Sequence, residues 1–208
     1  MTHSFLKRLL GHIRIIARHR KYVRRACFAM GIPLRGIKHD LSKYSPKEFW
    51  LGVRYFDGKK SPIINERAAR GGFSTAWVHH KNHNDHHWEY WLSSPTDGEQ
   101  SFELSAAKMP YAAVIEMLCD SIGAGKAYDP KGWGPQSEVP YFRRNEPHRV
   151  YHPDTKRLFV TLLNALVSSG NEKAFYAWYR KNRKRLRKEY KKSPFEDPDM
   201  KLGPIAVK

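Results

Sequence analysis

The stretch that opens at Pro110 and runs to about Ala124 constrains the fold most. Val114, Ile115, Met117, Leu118, Cys119 and Ile122 cover most of the circumference of a helix. A helix apolar nearly all round belongs at the centre of a core, with other helices packed on it. Yet Glu116 and Asp120, four residues apart, occupy its remaining face. A carboxylate in such surroundings must be paired or metal-bound, because an isolated buried charge is costly. A buried salt bridge is the plain alternative, and the 38 Lys and Arg residues of the chain can supply one.

The rest of the chain also reads as helical. Leu6, Leu9, Leu10, Ile13, Ile16, Val23, Cys27 and Met30 recur at three-to-four spacing, which predicts a helix from about Ser4 to Met30 with one apolar stripe. His19 lies in that stripe and faces inward. Gly31 and Pro33 end the helix. His39-Asp40 falls at a turn or at the end of a short helix. Ser45, Pro46 and Glu48 then read as N-cap, first and third positions of a helix that buries Phe49, Val53 and Phe56. Residues 57–65 read as a linker. A helical stretch from about Glu66, interrupted at Gly71-Gly72, carries a histidine group. Residues 93–108 read as a polar loop and 128–150 as an irregular lid. A helix from Pro153 through Leu166 breaks at Ser168-Ser169-Gly170. A last helix over 171–192 buries Phe175, Trp178, Tyr179, Leu186 and Tyr190. No alternating strand pattern stands out, so the expected fold class is all-α. The expected organisation is a compact domain over 1–170, a basic C-terminal helix packed on it and a flexible tail over 193–208.

The 208 residues suffice for one good core. Cys27 and Cys119 form no CxxC, which argues against a disulfide framework or a Cys-type zinc site and fits a cytoplasmic location. The net charge of +18 is uneven: ten Lys or Arg precede the first acid, Asp40, and ten more fall in 171–192 against two acids. Such a surface attracts polyanions, nucleic acid among them; a merely solvated basic surface is the bland alternative. No apolar run reaches the ~20 residues of a membrane span. The Arg-rich start is not Ser-rich and holds His19, so it is not read as a transit peptide.

The chemistry lies in the order of the histidines and carboxylates. His19 comes first, then His39-Asp40, then His79, His80, His83, His86 and His87, then Asp120. Imidazole nitrogen and carboxylate oxygen suit Zn, Mn or Fe, and an Asp beside a His can bridge two ions. On a continuous helix, 79, 83 and 86 share one face and 80, 83 and 87 the adjacent one. The alternatives are adventitious metal binding by a His-rich surface tract, or packing with Trp77, Trp88, Tyr90 and Trp91.

That order resembles the HD-domain phosphohydrolase superfamily, in its members that hold two metals through a first His, an adjacent His-Asp, a separate His, a His-His pair and a final Asp. His19, His39-Asp40, His79 or His80, His86-His87 and Asp120 match in sequence. The chain more closely resembles an uncharacterised bacterial and phage-borne family, a domain of unknown function, over roughly residues 10–170. The matching segments are His39 to Pro46, His79-His80 through Trp91, and Glu116-Met117 with Asp120 and Gly123 to Lys126. The HD resemblance implies an HD-like helical bundle. In those proteins the separate His and the His-His pair usually lie on different elements, whereas here fewer than ten residues separate them. A one-metal site of His39, Asp40 and Asp120 with one or two others therefore stays open.

The resemblance implies hydrolysis of a phosphorylated small molecule or nucleotide by one or two divalent ions (Mn, Zn, Co, Ni or Fe). His19, His39, Asp40 and Asp120 would be core ligands, and His79 or His80 with His86 and His87 a second set. Asp40 would bridge metals or hold the water. Glu116 would orient a ligand His or carry a proton. Lys43 and Lys126 would meet the substrate phosphate; as ordinary solvated lysines they would do neither. Two other readings stay open: a di-iron oxygenase on the same ligands, and a basic nucleic-acid-binding protein without catalysis.

Overall fold

The helix that is apolar all round takes the centre. In the computed structural model, which describes residues 4–93 and 104–192, it spans Tyr111–Tyr128, and Ala113 to Cys119 are all buried. Ile115, Leu118 and Ile122 are almost wholly removed from water, each contributing roughly 1.5–3 kcal/mol. Counted along the chain it is α6. Before it come α1 (Phe5–Ala29), α2 (Pro33–Lys38), α3 (Pro46–Arg54), α4 (Pro62–Ala69) and α5 (Thr75–His83). After it come α7 (Glu138–Asn145), α8 (Pro153–Ser168) and α9 (Glu172–Lys192). Strand among the described residues is limited to one antiparallel pair, Leu92–Ser93 with Ser105–Ala106. The fold is all-α, as expected.

α1 and α6 lie against each other more extensively than any other pair. Glycine permits the approach: a Cβ on Gly123 would stand 2.4 Å from Val23 Cγ2. α1 ends where its signals predict. Gly31 adopts φ +75, and the Ile32 N–H returns to the Cys27 carbonyl at 2.9 Å, closing the helix in a glycine cap. Ser45 accepts the Glu48 N–H and Pro46 occupies the first position of α3. α9 inserts Phe175, Tyr179, Leu186 and Tyr190 into the same core as α6 and α8, while Trp178 is half-buried.

Several expectations need correction. The linker ends earlier than 65, because Pro62 starts α4, a position where its missing N–H costs nothing. The helical stretch starts before Glu66, in α4, and the expected interruption at Gly71 and Gly72, both at positive φ, separates α4 from α5. The expected lid contains α7 between 3-10 turns at 135–137 and 146–148; Pro140 stands in its first turn, where proline is tolerated. The stripe on α1 is buried only from Ile16 onward. Leu6, Leu10 and Ile13 are exposed, and His12 is the buried side chain of that half, packed between Phe49 and Phe56. Phe49 and Phe56 are half-buried, and Val53 is fully so. The tail over 193–208 and most of the 93–108 loop lie outside the described residues. No helix among the described residues is long and apolar enough to cross a membrane.

Candidate metal centre

Four elements converge on Asp40. α1 supplies His19 and α6 supplies Glu116 and Asp120. His39 caps the C-terminus of α2, and Asp40 opens the 3-10 turn Leu41–Tyr44 in the left-handed region at φ 52. It is the single non-glycine residue with positive φ among the described residues. Such a conformation costs on the order of 1–3 kcal/mol and persists where the surroundings over-determine it. Arg20, next to His19 on α1, holds the turn: its guanidinium donates to the carbonyls of Ile37 and His39, both at 2.9 Å.

The two oxygens of Asp40 serve two donor groups. In the first, His19 Nε2 lies 3.1 Å from His39 Nε2, 3.2 Å from Asp40 Oδ2 and 3.1 Å from Asp120 Oδ1. His39 Nε2 stands 3.3 Å from both carboxylate oxygens. Donors arranged tetrahedrally about an ion at ~2.0–2.1 Å lie about 3.3 Å apart. The observed separations therefore match a small divalent cation at the centre.

The second group is Asp40, His80, His86 and His87, whose donor atoms lie within 4.8 Å of one another. His80 Nε2 is 3.4 Å and His86 Nε2 3.6 Å from Asp40 Oδ1. Asp40 Oδ1, His86 Nε2 and His87 Nε2 are buried with no hydrogen-bond partner. Buried polar atoms are nearly always satisfied, so three orphans on residues of one close cluster need an explanation. A cation supplies one.

A further carboxylate orients a histidine in each group. His39 Nδ1 meets Glu116 Oε1 at 2.9 Å, which leaves its Nε2 lone pair for the first group. His80 Nδ1 meets Glu48 Oε2 at 2.8 Å, which does the same for the second. Such carboxylate–imidazole pairs fix tautomer and ring direction in metal sites. His39, His86 and Glu116 also form a close cluster. The Arg35 guanidinium already ion-pairs with Glu116, so that cluster is a support and does not suit a cation. Arg35 also pairs with Asp85, tying the segment before His86 to α6.

The electrostatics match ligand duty. Burial would raise the Asp40 carboxyl, but His39 and Lys43 hold it well below its ordinary range. Burial acts likewise on Asp120, and hydrogen bonds from His19 and His39 overcome it. Burial pushes His86 down to about 3, helped by the charge of His39, and pushes His87 well below its ordinary value. Ionised carboxylates and neutral imidazoles are the forms that bind metals. His39 differs: burial opposes its protonation, but the Asp40 charge and bonds to Asp120 raise it well above 6.5. A proton on His39 and a cation in the first group thus compete for the same lone pair.

Not every expected residue converges. The helix carrying the histidines stops at His83, so 86 and 87 share no helical face with 79 and 80. The Asn84 side chain donates to the His80 carbonyl at 2.7 Å, taking the place of the next helical N–H. His79 lies outside both groups, with Nδ1 on Glu48 Oε1 at 2.7 Å and its ring stacked on His83 at 4.0 Å. Lys126 also lies apart; it pairs with Glu172 on α9 and lies over the rings of Tyr22 and Trp133. Lys43 does reach the site and ion-pairs with Asp40. Sequence reasoning read Glu48 only as a helix-start residue and missed Arg20, Arg35 and Glu138. Glu138 accepts from Ser121 Oγ at 2.5 Å and Trp133 Nε1 at 2.7 Å, and burial pushes its carboxyl up.

No curated protein and no solved structure matches the chain. One family model matches residues 9–165, a span that holds every donor of both groups. By that match, the chain belongs to the family of unknown function DUF5662.

Proposed function

We propose that this protein is a metal-dependent phosphohydrolase, with a two-ion centre bridged by Asp40 in an HD-like helical bundle. The observation that carries the reading is the split of Asp40: one oxygen stands among His19, His39 and Asp120, the other among His80, His86 and His87. Divalent ions there would supply an acidified water and an electrophile for a phosphoryl oxygen. Lys43, its ammonium on Asp40 and about a quarter exposed, would meet the phosphate and offset the charge that develops on it. Glu116 and Glu48 act through His39 and His80 and are positioning residues. Asp120, the more accessible carboxylate at 21% side-chain exposure, faces the cleft and can hold a water. The alternating imidazole and carboxylate donors admit Mn, Zn, Co, Ni or Fe. A cationic side chain at the centre favours a phosphorylated substrate over dioxygen.

The test joins metal analysis of the purified protein to a panel of phosphomonoesters and phosphodiesters, on wild type and Asp40→Ala. Bound divalent metal and metal-dependent phosphate release, both lost in the variant, support the reading. Iron with a visible chromophore and no hydrolysis of any ester would overturn it.

A further inference from the structure

The metal centre lies on the wall of a cleft of about 1190 Å³, larger than the ~300–1,000 Å³ that encloses a small ligand. Its cations form two sets. One gathers near Tyr128: Lys43 and Ser61 both act on its hydroxyl, and Lys59 and Lys60 follow Asp57 beside it. The other surrounds Glu89 and Tyr141. Arg67, Lys81 and Arg149 all act on Glu89, and Arg144 and Arg149 lie over the Tyr141 ring at 5.9 and 5.7 Å. Arg67 likewise lies over Trp77 at 5.5 Å.

Each set is linked to one donor group. Lys43 joins the first set to the first donor group through Asp40. Trp77 joins the second set to the second donor group, packing on His80 at 5.5 Å and on His87 at 4.8 Å. Lys59, Lys60, Arg67 and Arg144 are exposed, and among the described residues none is paired with a carboxylate. Besides Asp120, the acids that line the cleft are Glu48, Glu66 and Glu138, buried and already hydrogen-bonded, Glu89, half-buried among Arg67, Lys81 and Arg149, and Asp129, exposed and accepting the Gly132 N–H. The exposed cations of the cleft therefore outnumber its exposed acids, and aromatic rings are set among them.

A terminal phosphomonoester needs only one such set. The geometry points to a single-stranded nucleic acid as the occupant of this cleft. One phosphodiester lies at the metal centre, neighbouring phosphates lie on the two cation sets, and bases stack on Trp77 and Tyr141. The chemistry rests on the hydrolytic reading above; the binding does not. In the reaction, a water oxygen forms a bond to phosphorus and one P–O ester bond breaks. One water proton goes to the leaving alkoxide, and the other is lost to solvent. The products are a terminal phosphomonoester and a hydroxyl.

The test is fluorescence anisotropy of a labelled oligothymidylate of about 12 nucleotides, with chelator-stripped full-length protein. We expect binding that weakens with salt, by a slope of about 0.7 per phosphate contact. Lys59→Glu with Lys60→Glu, and separately Arg67→Glu with Arg144→Glu, should each weaken it at least tenfold without moving the melting curve. Asp40→Asn should still bind, and metal-loaded wild type should shorten the strand. Affinity unchanged in both charge-reversed proteins would overturn the proposal, as would equal competition by thymidine monophosphate. Stronger competition by inorganic polyphosphate or by anionic phosphatidylserine vesicles would overturn it too. If wild type binds no metal yet holds the strand through these cations, the hydrolytic reading fails and the binding site stands.

Discussion

The two donor groups share one carboxylate but are built differently. The first draws on long helices: His19 from the middle of α1 and Asp120 from the middle of α6, with its donors already within hydrogen-bonding distance of one another. The second draws on the end of α5 and the irregular segment after it, and three of its donor atoms are buried without partners. A helix-borne site is held by the core, and its donors satisfy one another even without an ion. A loop-borne site is left unsatisfied without one. The first group should therefore behave as a preformed tight site, and the second as one that gains most from its cation.

Asp40→Asn should have the largest effect, because it strikes both groups at once. Asparagine tolerates the left-handed backbone, so the turn survives while the bridging charge is lost. Metal content should fall to near zero, and phosphoester hydrolysis by a factor on the order of 10³ or more. Elemental analysis and steady-state rates on the same preparation check this. Next come changes to one group only. Asp120→Asn should remove the ion of the first group, and His87→Ala that of the second, each leaving about one equivalent. If either change removes both ions, the groups are a single site and the comparison breaks.

Glu116→Gln and Glu48→Gln should each weaken metal binding ~10–100-fold, through His39 and His80 respectively. Competition with a fluorescent chelator resolves which site each one serves. Acidity sharpens the first group further. The Asp40 charge and the bond to Asp120 favour a proton on His39 when no ion is present, against the pull of burial. Metal binding should therefore release protons and weaken as pH falls. Titration calorimetry in buffers of different ionisation enthalpy measures the release. The smallest effect concerns His12, pushed down to about 4 by burial and by Lys43. Its folded value lies below its unfolded value, so the unfolded chain takes up the proton first. Stability is full above pH 6.5 and declines as pH falls toward 4, by up to ~3 kcal/mol. His12→Leu should flatten that part of the urea-melt profile.

The sequence is most informative where one periodicity dominates. The all-round apolar pattern of 110–124 places α6 at the centre, and the stranded acids on it mark Glu116 and Asp120. His19 is legible because it keeps step with Ile16 and Val23, both of which are buried. Legibility fails where a tertiary contact decides. Leu6 and Leu10 keep the same period, but the core does not extend to the first turns of α1, and period alone does not reveal that. His79 and His80 are equivalent in sequence. Glu48, on α3, bonds the Nδ1 of both, and His80 is the one whose Nε2 then reaches Asp40. α5 ends at His83 through a side-chain bond of Asn84, which no hydropathy pattern signals. Arg20 and Arg35 are two basic residues among many until the turn and α6 lie beside them.

The central claim is that Asp40 joins two cation sites, and counting bound ions tests it most directly. Chelator-stripped protein, titrated with Mn or Zn, desalted and assayed by mass spectrometry, should retain two ions per wild-type chain and none in Asp40→Asn. Its thermal midpoint should rise with the metal in wild type alone. Wild type that keeps no ion above the variant, and melts at the same temperature with and without metal, would contradict the account.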